Sequence, residues 1–511
     1  MVQEVKVIGA GLAGTEAAWQ LAQAGVRVKL YEMRPKVKTP AHHTDNLAEL
    51  VCSNSLGSEF LTTARGVLIH EMESFDSLII KAAKHAKVPA GQALAVDRDL
   101  FAEYITKAIG EHPNIELIRE EYRGDLSQEE GLVVVASGPL TSEYLAENIS
   151  DLLKGHCEEL ATKQSNAGAK SVNGIATSTS SPRNDGVCPQ DDSPFLHFFD
   201  AASPIVEASS INMDIAFKAS RYGKGETADY INCPFYEQED FDKFYEALMA
   251  AERAPLKDFE QKSIKYFEGC MPIEAIAERG KQTMCFGPLK PVGLTDPRYP
   301  ERKAVAVVQL RQDNVVGSLY NIVGFQTNLK WGEPASVFSM IPGLENLEIL
   351  RYGVMHQNIF INSPLFLNSD MSMRSLRRSV ILSPSGRQDP IAPQNDKPNI
   401  YFAGQITGVE GYTESAATGI VAARSILSGL LCSALNDLPR ETMMGALSNY
   451  VANADPKHFQ PINSNWGLIN TEPENLEKKY RKNKKLRQEY LANRALKLIA
   501  EKIAEKSYIL T

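Results

Sequence analysis

Residues 7–34 read VIGAGLAGTEAAWQLAQAGVRVKLYEMR. Val5 to Ile8 is an apolar run of strand length, and Gly9-Ala10-Gly11-Leu12-Ala13-Gly14 is a turn. Thr15 to Ala24 is alanine-rich and helical, Gly25 ends it, and Val26 to Tyr31 alternates as a second strand that finishes on Glu32. A strand, a glycine turn, a helix and a second strand within about thirty residues form a parallel βαβ unit. Gly9 permits the tight turn, Gly11 lets backbone N–H groups approach a pyrophosphate, and Gly14 lets helix and strand pack closely. The helix N-terminus, Leu12 and Ala13 included, turns partial positive charge toward phosphates. Glu32, eighteen residues after Gly14, stands where a carboxylate can hold ribose hydroxyls. Glycine spacing alone is a weak signal, and it also occurs in turns of other α/β folds. Here strand, turn, helix, second strand and acid agree, and they specify a dinucleotide site.

The remaining chain sets the context. With 511 residues it has room for two to four domains. Hydrophobic residues at 43% and charged residues at 23% are ordinary for a soluble globular protein. No apolar run reaches the roughly 18–20 residues of a membrane span, and no basic, then apolar leader precedes the first strand. Seven scattered cysteines, at 52, 157, 188, 233, 270, 285 and 432, form no C-x-x-C pair. That excludes a zinc ribbon and a disulfide framework, gives no metal site, and leads us to expect reduced thiols in a cytoplasmic protein. A net charge of −9 excludes a generic nucleic-acid coat but leaves room for a local basic site.

The polar stretch 36–66 is long for a loop in a compact α/β domain, and such loops are usually functional. GQALAVDRDLFAEYITKAI (91–109) reads as a strand end turning into a helix, and GLVVVASGP (131–139) as a buried strand ending in small residues. Residues 161–194, rich in Ser, Thr, Asn and Gly, read as a disordered insertion, and 369–398 as a second loop-like patch. The mixed segment 195–345 contains a helix near 239–252 and a strand near 303–312. Residues 399–431, NIYFAGQITGVEGYTESAATGIVAARSILSGLL, repeat the strand, glycine turn, helix order and return the chain to the first fold. The tail near 477–487, EKKYRKNKKLR, is strongly basic within an acidic protein. Such runs are usually solvated faces, but they also suit phosphates. The expected class is α/β: a Rossmann-like dinucleotide domain in two parts, 1–194 and 346–470, an inserted α+β domain, 195–345, and a basic C-terminal helix, 471–511.

Two glycine motifs at opposite ends of one chain are typical of two-dinucleotide-fold flavoproteins. AGQITGVEGYTESAATG (403–419) is more specific, and resembles the flavoprotein family that modifies uridines in tRNA. Further stretches resemble its folate- and FAD-dependent uracil-5-methylating branch: ELVCSNSLGSE, GQALAVDR, FFDAASPIVE, YINCPF, FEGCMPIE, RGKQTMCFGPLKPVGL, YNIVGFQTNLKWGE, IPGLENLEILRYGVMHQNIFINSP and FQPINSNWGL. They run from the first strand to about residue 470, with 161–194 and 369–398 standing apart as insertions.

The resemblance implies FAD, with its ADP half on the first glycine turn and the flavin near Gly404, Gln405, Gly411 and Tyr412. It implies methylenetetrahydrofolate as carbon donor, NADH or NADPH as reductant, and a T-loop uridine of tRNA as acceptor, giving 5-methyluridine. It implies no membrane and no obligate protein partner. Cys233 in YINCPF resembles the family's uracil nucleophile, and Cys52 in VCSN its flavin-proximal cysteine, a base or a guard of the flavin. Uracil C5 is a poor nucleophile, and a thiolate added at C6 makes it carbanion-like. That chemistry needs an accessible thiol near positive charge or N–H groups, whereas most cysteines are buried and inert. Trp331, Tyr352 and His356 are candidates to meet the pterin of folate, against core or hydrogen-bonding roles. Arg98 suits a flavin phosphate or an ion pair. The competing readings are the wobble-uridine branch, for which too little chain follows Gly419, a small-molecule flavin oxidoreductase, and a non-catalytic flavin-bearing tRNA binder.

Overall fold

The structure is a computed structural model that describes residues 4–168, 194–223, 228–254, 271–353, 355–374, 399–431, 438–469, 480 and 483–507. Its first layer is a parallel sheet of five strands. From one edge to the other these are Ile400–Phe402, Leu132–Val135, Glu4–Ile8, Arg27–Tyr31 and Ile115–Ile118. Strand Glu4–Ile8 is central, pairing Val7 with Leu30 on one side and with Val134 on the other. Its neighbour Leu132–Val135 is a near-continuous apolar run, as expected of a parallel sheet covered on both faces, whereas Arg27–Tyr31 alternates, with Val28 and Leu30 buried and Arg27 exposed. Ile400–Phe402 joins last, pairing Tyr401 with Val134, so a strand from near residue 400 completes a sheet begun at residue 4.

Helix Leu12–Gln23 packs along helix Tyr412–Leu431, and the two make the most extensive helix contact of the fold. Small residues set the approach: Gly419 lies where a Cβ would come 2.3 Å from the Ala13 carbonyl oxygen. The ladder Phe195–Ala201 with Met355–Ile361 carries the chain out of this layer and back, antiparallel over seven paired positions. Beyond it stands a six-stranded antiparallel sheet. Its order is Phe217–Lys218, Tyr230–Phe235, Ala306–Gln312, Leu319–Ile322, Ile205–Glu207 and Ile349–Arg351. It has its own core, centred on Phe235, Phe241, Phe244, Phe325 and Phe338.

Polar contacts tie the six-stranded sheet to the loops around residues 53, 54 and 90. Arg311 donates to Asn54 Oδ1 and Ser53 Oγ, both at 2.8 Å. Asn54 Nδ2 reaches the Gln312 carbonyl at 2.9 Å, and Tyr230 Oη donates to the Ala90 carbonyl at 3.1 Å. The stretch 36–66 is therefore less irregular than its composition suggests: it includes strand Ser55–Ser58 and the start of helix Ala64–Ser74. Helix Glu143–Gly168 runs into the segment read as a disordered insertion, so that residues 161–168 are helical. Residues 169–193 and 375–398 lie outside the described residues. Among those described, no helix is long and apolar enough to cross a membrane.

Two buried carboxylates terminate helices on other parts of the chain. Glu16 accepts from Ser77 Oγ and the Ile79 N–H, and Glu71 from the N–H groups of Met443 and Met444. Burial pushes the Glu71 carboxyl up to about 8, against the pull of those two donors. A value raised on folding means stability that is complete below the ordinary carboxyl value of 4.5 and is lost as pH rises through about 8. Glu71→Gln, which copies the neutral acid, is expected to flatten that fall. Thermal unfolding of wild type and variant between pH 5 and pH 9 checks it, and parallel curves would contradict it.

Candidate functional site

A cleft opens at the carboxyl ends of the parallel strands. It is where ligands enter open α/β sheets. Gly9 to Ala13 form one wall, Glu32 closes one end, and Gly404, Gln405 and Tyr412 stand at another. The glycine turn is shaped as the sequence requires. Gly9 has φ +98°, and a Cβ there would meet the Ala136 carbonyl oxygen at 2.5 Å. A Cβ on Gly14 would stand 1.8 Å from the Gly9 oxygen, so Gly14 serves the packing and lies behind the cleft wall. At Gly11 the same position is open, with nothing within 4 Å. Helix Leu12–Gln23 starts at Gly11 with no side-chain cap. Its first N–H groups therefore face the cleft as ready donors, which fits the pyrophosphate of a dinucleotide.

Glu32 accepts from the Ala10 N–H at 3.3 Å and from Arg34 Nε at 3.0 Å. Arg34 also bridges to Glu49 Oε2 at 3.2 Å. This keeps two carboxylates at the cleft wall in one buried network. Sequence reasoning missed Arg34 and Glu49, and it missed Ser137 to Ser142, which line the cleft after strand Leu132–Val135. Its one available signal was ASGP, small residues at the end of a buried parallel strand.

At the far end, Tyr412 ties the cleft to Cys52. Its hydroxyl accepts from the N–H groups of Cys52 and Ser53, at 2.9 and 3.1 Å. Burial, and then the neighbouring Cys52, push the Tyr412 phenol up, so it stays a neutral hydroxyl. Val51 lines the cleft, and Cys52 beside it is half-buried. The Arg311 guanidinium, anchored on Ser53 and Asn54, is close enough to interact electrostatically with Cys52. Burial lowers the Arg311 pKa, and Cys52 is among the groups that oppose this.

Glu414, fully buried one turn into helix Tyr412–Leu431, is met by Arg65 at 3.0 Å and by Ser464 Oγ at 2.6 Å. Burial alone would raise its carboxyl, but Arg65, Ser464 and Thr413 outweigh it and hold it below the usual range. Gly411 makes room for this carboxylate: a Cβ there would stand 2.3 Å from Glu414 Oε2. Gly411 thus shapes the turn and is not among the cleft-lining residues.

Other residues named from the sequence stand away from the cleft or outside the described side chains. Arg98 does not line the cleft: it is buried against Asp313 at 3.2 Å and the Leu50 carbonyl at 3.0 Å, the ion-pair alternative. Cys233 is 0% exposed and belongs to the second core. Strand alternation explains why: Ile231, Cys233 and Phe235 face that core, while Tyr230 and Asn232 face away. Burial, followed by Glu345, pushes the Cys233 thiol up, the opposite of an activated nucleophile. Trp331 is neither core nor cleft: it is 82% exposed, its ring 4.1 Å from that of Tyr352. His356 lies on strand Met355–Ile361 opposite Asp200, and its side chain is outside the described residues. Residues 477–479, 481 and 482 of the basic run 477–487 are outside them too, and its end opens helix Lys484–Ser507.

Comparison with known proteins agrees with this geometry. Residues 4–379 and 393–431 match the family model described as glucose inhibited division protein A. The chain is 49% identical over 495 residues to the methylenetetrahydrofolate–tRNA-(uracil-5-)-methyltransferase TrmFO of Brevibacillus brevis, covering 97% of each chain. It is 50% identical over 497 residues to the protein of the same name from Staphylococcus saprophyticus, covering 97% of this chain and 98% of that one. Among solved structures, GidA of Aquifex aeolicus shares the fold with a TM-score of 0.58 at 15% identity. That match covers 98% of this chain and 73% of the other.

Proposed function

The chain belongs to the glucose inhibited division protein A family of flavoproteins, and from its 49–50% identity over nearly its whole length to methylenetetrahydrofolate–tRNA-(uracil-5-)-methyltransferases we propose that it methylates uracil C5 in tRNA with a folate one-carbon donor and bound FAD. The acceptor is a T-loop uridine, the reductant is NADH or NADPH, and the product is 5-methyluridine. One observation carries the reading. A dinucleotide cleft at the carboxyl ends of a parallel sheet ends at Tyr412, whose hydroxyl holds the loop that presents Cys52.

The uncapped helix at Gly11 and the carboxylate Glu32 suit the two halves of the ADP moiety, and Gly404, Gln405 and Tyr412 suit the flavin end. When bound, the folate and flavin together supply the one-carbon unit and the electrons that convert it from methylene to methyl. The protein's part is to activate the acceptor. Cys52 is half-buried and follows the cleft-lining Val51, so we assign it the attack on C6. The Sγ–C6 bond forms, the C5–C6 double bond opens, and the electron pair moves through C5 toward O4. After the carbon is joined, the C5 proton passes to a general base or water, and the electron pair it leaves re-forms the C5–C6 double bond as Sγ departs as thiolate. Arg311, held on Ser53 and Asn54, places a positive charge beside this loop, and Tyr412 fixes its backbone. Cys233, facing an apolar core, takes no part in the attack.

Leave-one-out reactions test the activity. Nucleoside analysis of an unmodified tRNA transcript is expected to show 5-methyluridine only when protein, FAD, methylenetetrahydrofolate and NAD(P)H are all present. A product formed without folate, or flavin reduction unaccompanied by methylated RNA, would count against it. Arg311 gives a second test. Arg311→Met is expected to slow alkylation of Cys52 at pH 7 about tenfold, whereas Arg311→Lys keeps most of the rate. Mass spectrometry of the Cys52 peptide reads the effect, and equal rates in Arg311→Met and wild type would remove Arg311 from the site.

A further inference from the structure

On the inserted sheet, away from the cleft, one corner is built to expose an aromatic ring. Tyr222 has φ +58° and ψ +24°, a left-handed conformation that bulky residues rarely adopt. Its neighbours hold it there. The Tyr222 N–H donates to the Gly293 carbonyl at 2.7 Å. The ring lies on Gly293, where a Cβ would stand 2.6 Å from Tyr222 Cε1 and where φ is +85°. Arg221 fastens the facing loop by donating to the Lys290 carbonyl at 2.9 Å, and it also donates to Gln309 Oε1 at 2.9 Å. Despite these anchors, Tyr222 stays 58% exposed. The facing loop adds Phe286, 78% exposed, and Val292.

Three cations stand around the corner, together with Asp229, whose carboxylate accepts from the Gly91 N–H at 2.6 Å. Lys218 lies on the edge strand beside it, Lys290 on the facing loop, and Arg279 at the start of the helical turn that ends in Phe286. Nearby carboxylates are already engaged: Asp242 by Lys281, Glu278 by Arg253 and Asp296 by Arg298. Among the described residues, none of the cations Lys218, Arg279 and Lys290 has a carboxylate within ion-pair distance. Exposed rings among unneutralised cations, on a chain of net charge −9, suit bases and phosphates of a nucleic acid.

We propose that Tyr222 and Phe286, with Lys290 and Arg221, form a base-stacking contact for the RNA substrate, separate from the flavin cleft. The proposal rests on the tRNA reading above. It names a surface by which the inserted domain holds RNA while another nucleotide enters the cleft. Stacking is carried by the rings and is tolerant of sequence, whereas Lys290 contributes a phosphate contact that weakens with salt.

Fluorescence anisotropy with a labelled, unmodified tRNA transcript and the FAD-loaded full chain tests it. Tyr222→Gly is the informative variant, because glycine removes the ring and favours the local backbone, so lost binding cannot be laid to misfolding. Its Kd is expected to rise about tenfold, as is that of Phe286→Ala, whereas Tyr222→Phe keeps the wild-type value. Lys290→Gln is expected to reduce the slope of log Kd against log salt by nearly one unit. Flavin content and flavin reduction without RNA are expected to be unchanged in all four variants. If wild type binds tRNA and both ring-removing variants bind equally well, the surface proposal is overturned and the corner belongs to some other partner, such as a protein. If wild type itself binds no tRNA, the functional reading falls first and takes this proposal with it.

Discussion

Cys52→Ala is expected to lower methyl transfer to tRNA on the order of 10³-fold or more while leaving the bound flavin in place. Removing a covalent nucleophile removes the pathway rather than trimming a barrier. The backbone contacts of the loop should survive, because Tyr412 accepts from the N–H groups of residues 52 and 53 and not from the thiol. Cys233→Ala is the contrasting case. Its sulfur lies in the core with Ile231, Phe235 and Val308, so truncation leaves a small cavity costing roughly 1–2 kcal/mol. Transfer in that variant is expected to stay within about tenfold of wild type below its unfolding temperature. Single-turnover transfer and thermal unfolding, measured side by side, separate the two outcomes. A collapse of transfer in Cys233→Ala at unchanged stability would reverse the assignment.

The glycine turn gives the second large effect, and there the three glycines should part company. Gly9→Ala forces a methyl toward the Ala136 carbonyl in a backbone conformation with φ +98°, and Gly14→Ala drives one into the Gly9 oxygen. In both cases backbone must move, and the cost is on the order of 3 kcal/mol or more. Those variants are expected to be unstable and to lose flavin as a consequence. Gly11→Ala meets nothing within 4 Å, so the flavin-free protein should lose about 1 kcal/mol or less. The added methyl instead occupies the approach to the helix N–H groups, and FAD affinity is expected to fall roughly tenfold or more. Flavin titration of the stripped proteins, with their unfolding temperatures, checks both halves. Normal FAD affinity in Gly11→Ala would mean that the pyrophosphate lies elsewhere.

What could be read from the sequence was local. The first βαβ unit is specified within residues 5–32, because its glycines, its alanine-rich helix and its terminal acid are near neighbours along the chain. The return strand at 400–402 and helix Tyr412–Leu431 were legible for the same reason. Facts that depended on distant pairing were not. Arg98 finds Asp313, 215 residues away, and Arg311 finds Ser53, 258 residues away. No spacing rule announces such partners. The burial of Cys233 turned on which face of its strand is covered, and YINCPF fits either register until Ile231 and Phe235 are seen in the second core. Trp331 stands exposed against Tyr352, which removes the core alternative and leaves its part in meeting a pterin as an expectation.

The most direct test is to trap the attacking thiol. A T-arm RNA carrying 5-fluorouridine at the acceptor position would be incubated with the FAD-loaded protein, methylenetetrahydrofolate and NADPH. Fluorine at C5 cannot leave as a proton does, so the thioether formed at C6 persists. Peptide mass spectrometry then locates it. We expect the RNA adduct on Cys52, dependent on folate and reductant and absent in Cys52→Ala. An adduct on Cys233, or none from protein that is folded and flavin-loaded, would contradict the account.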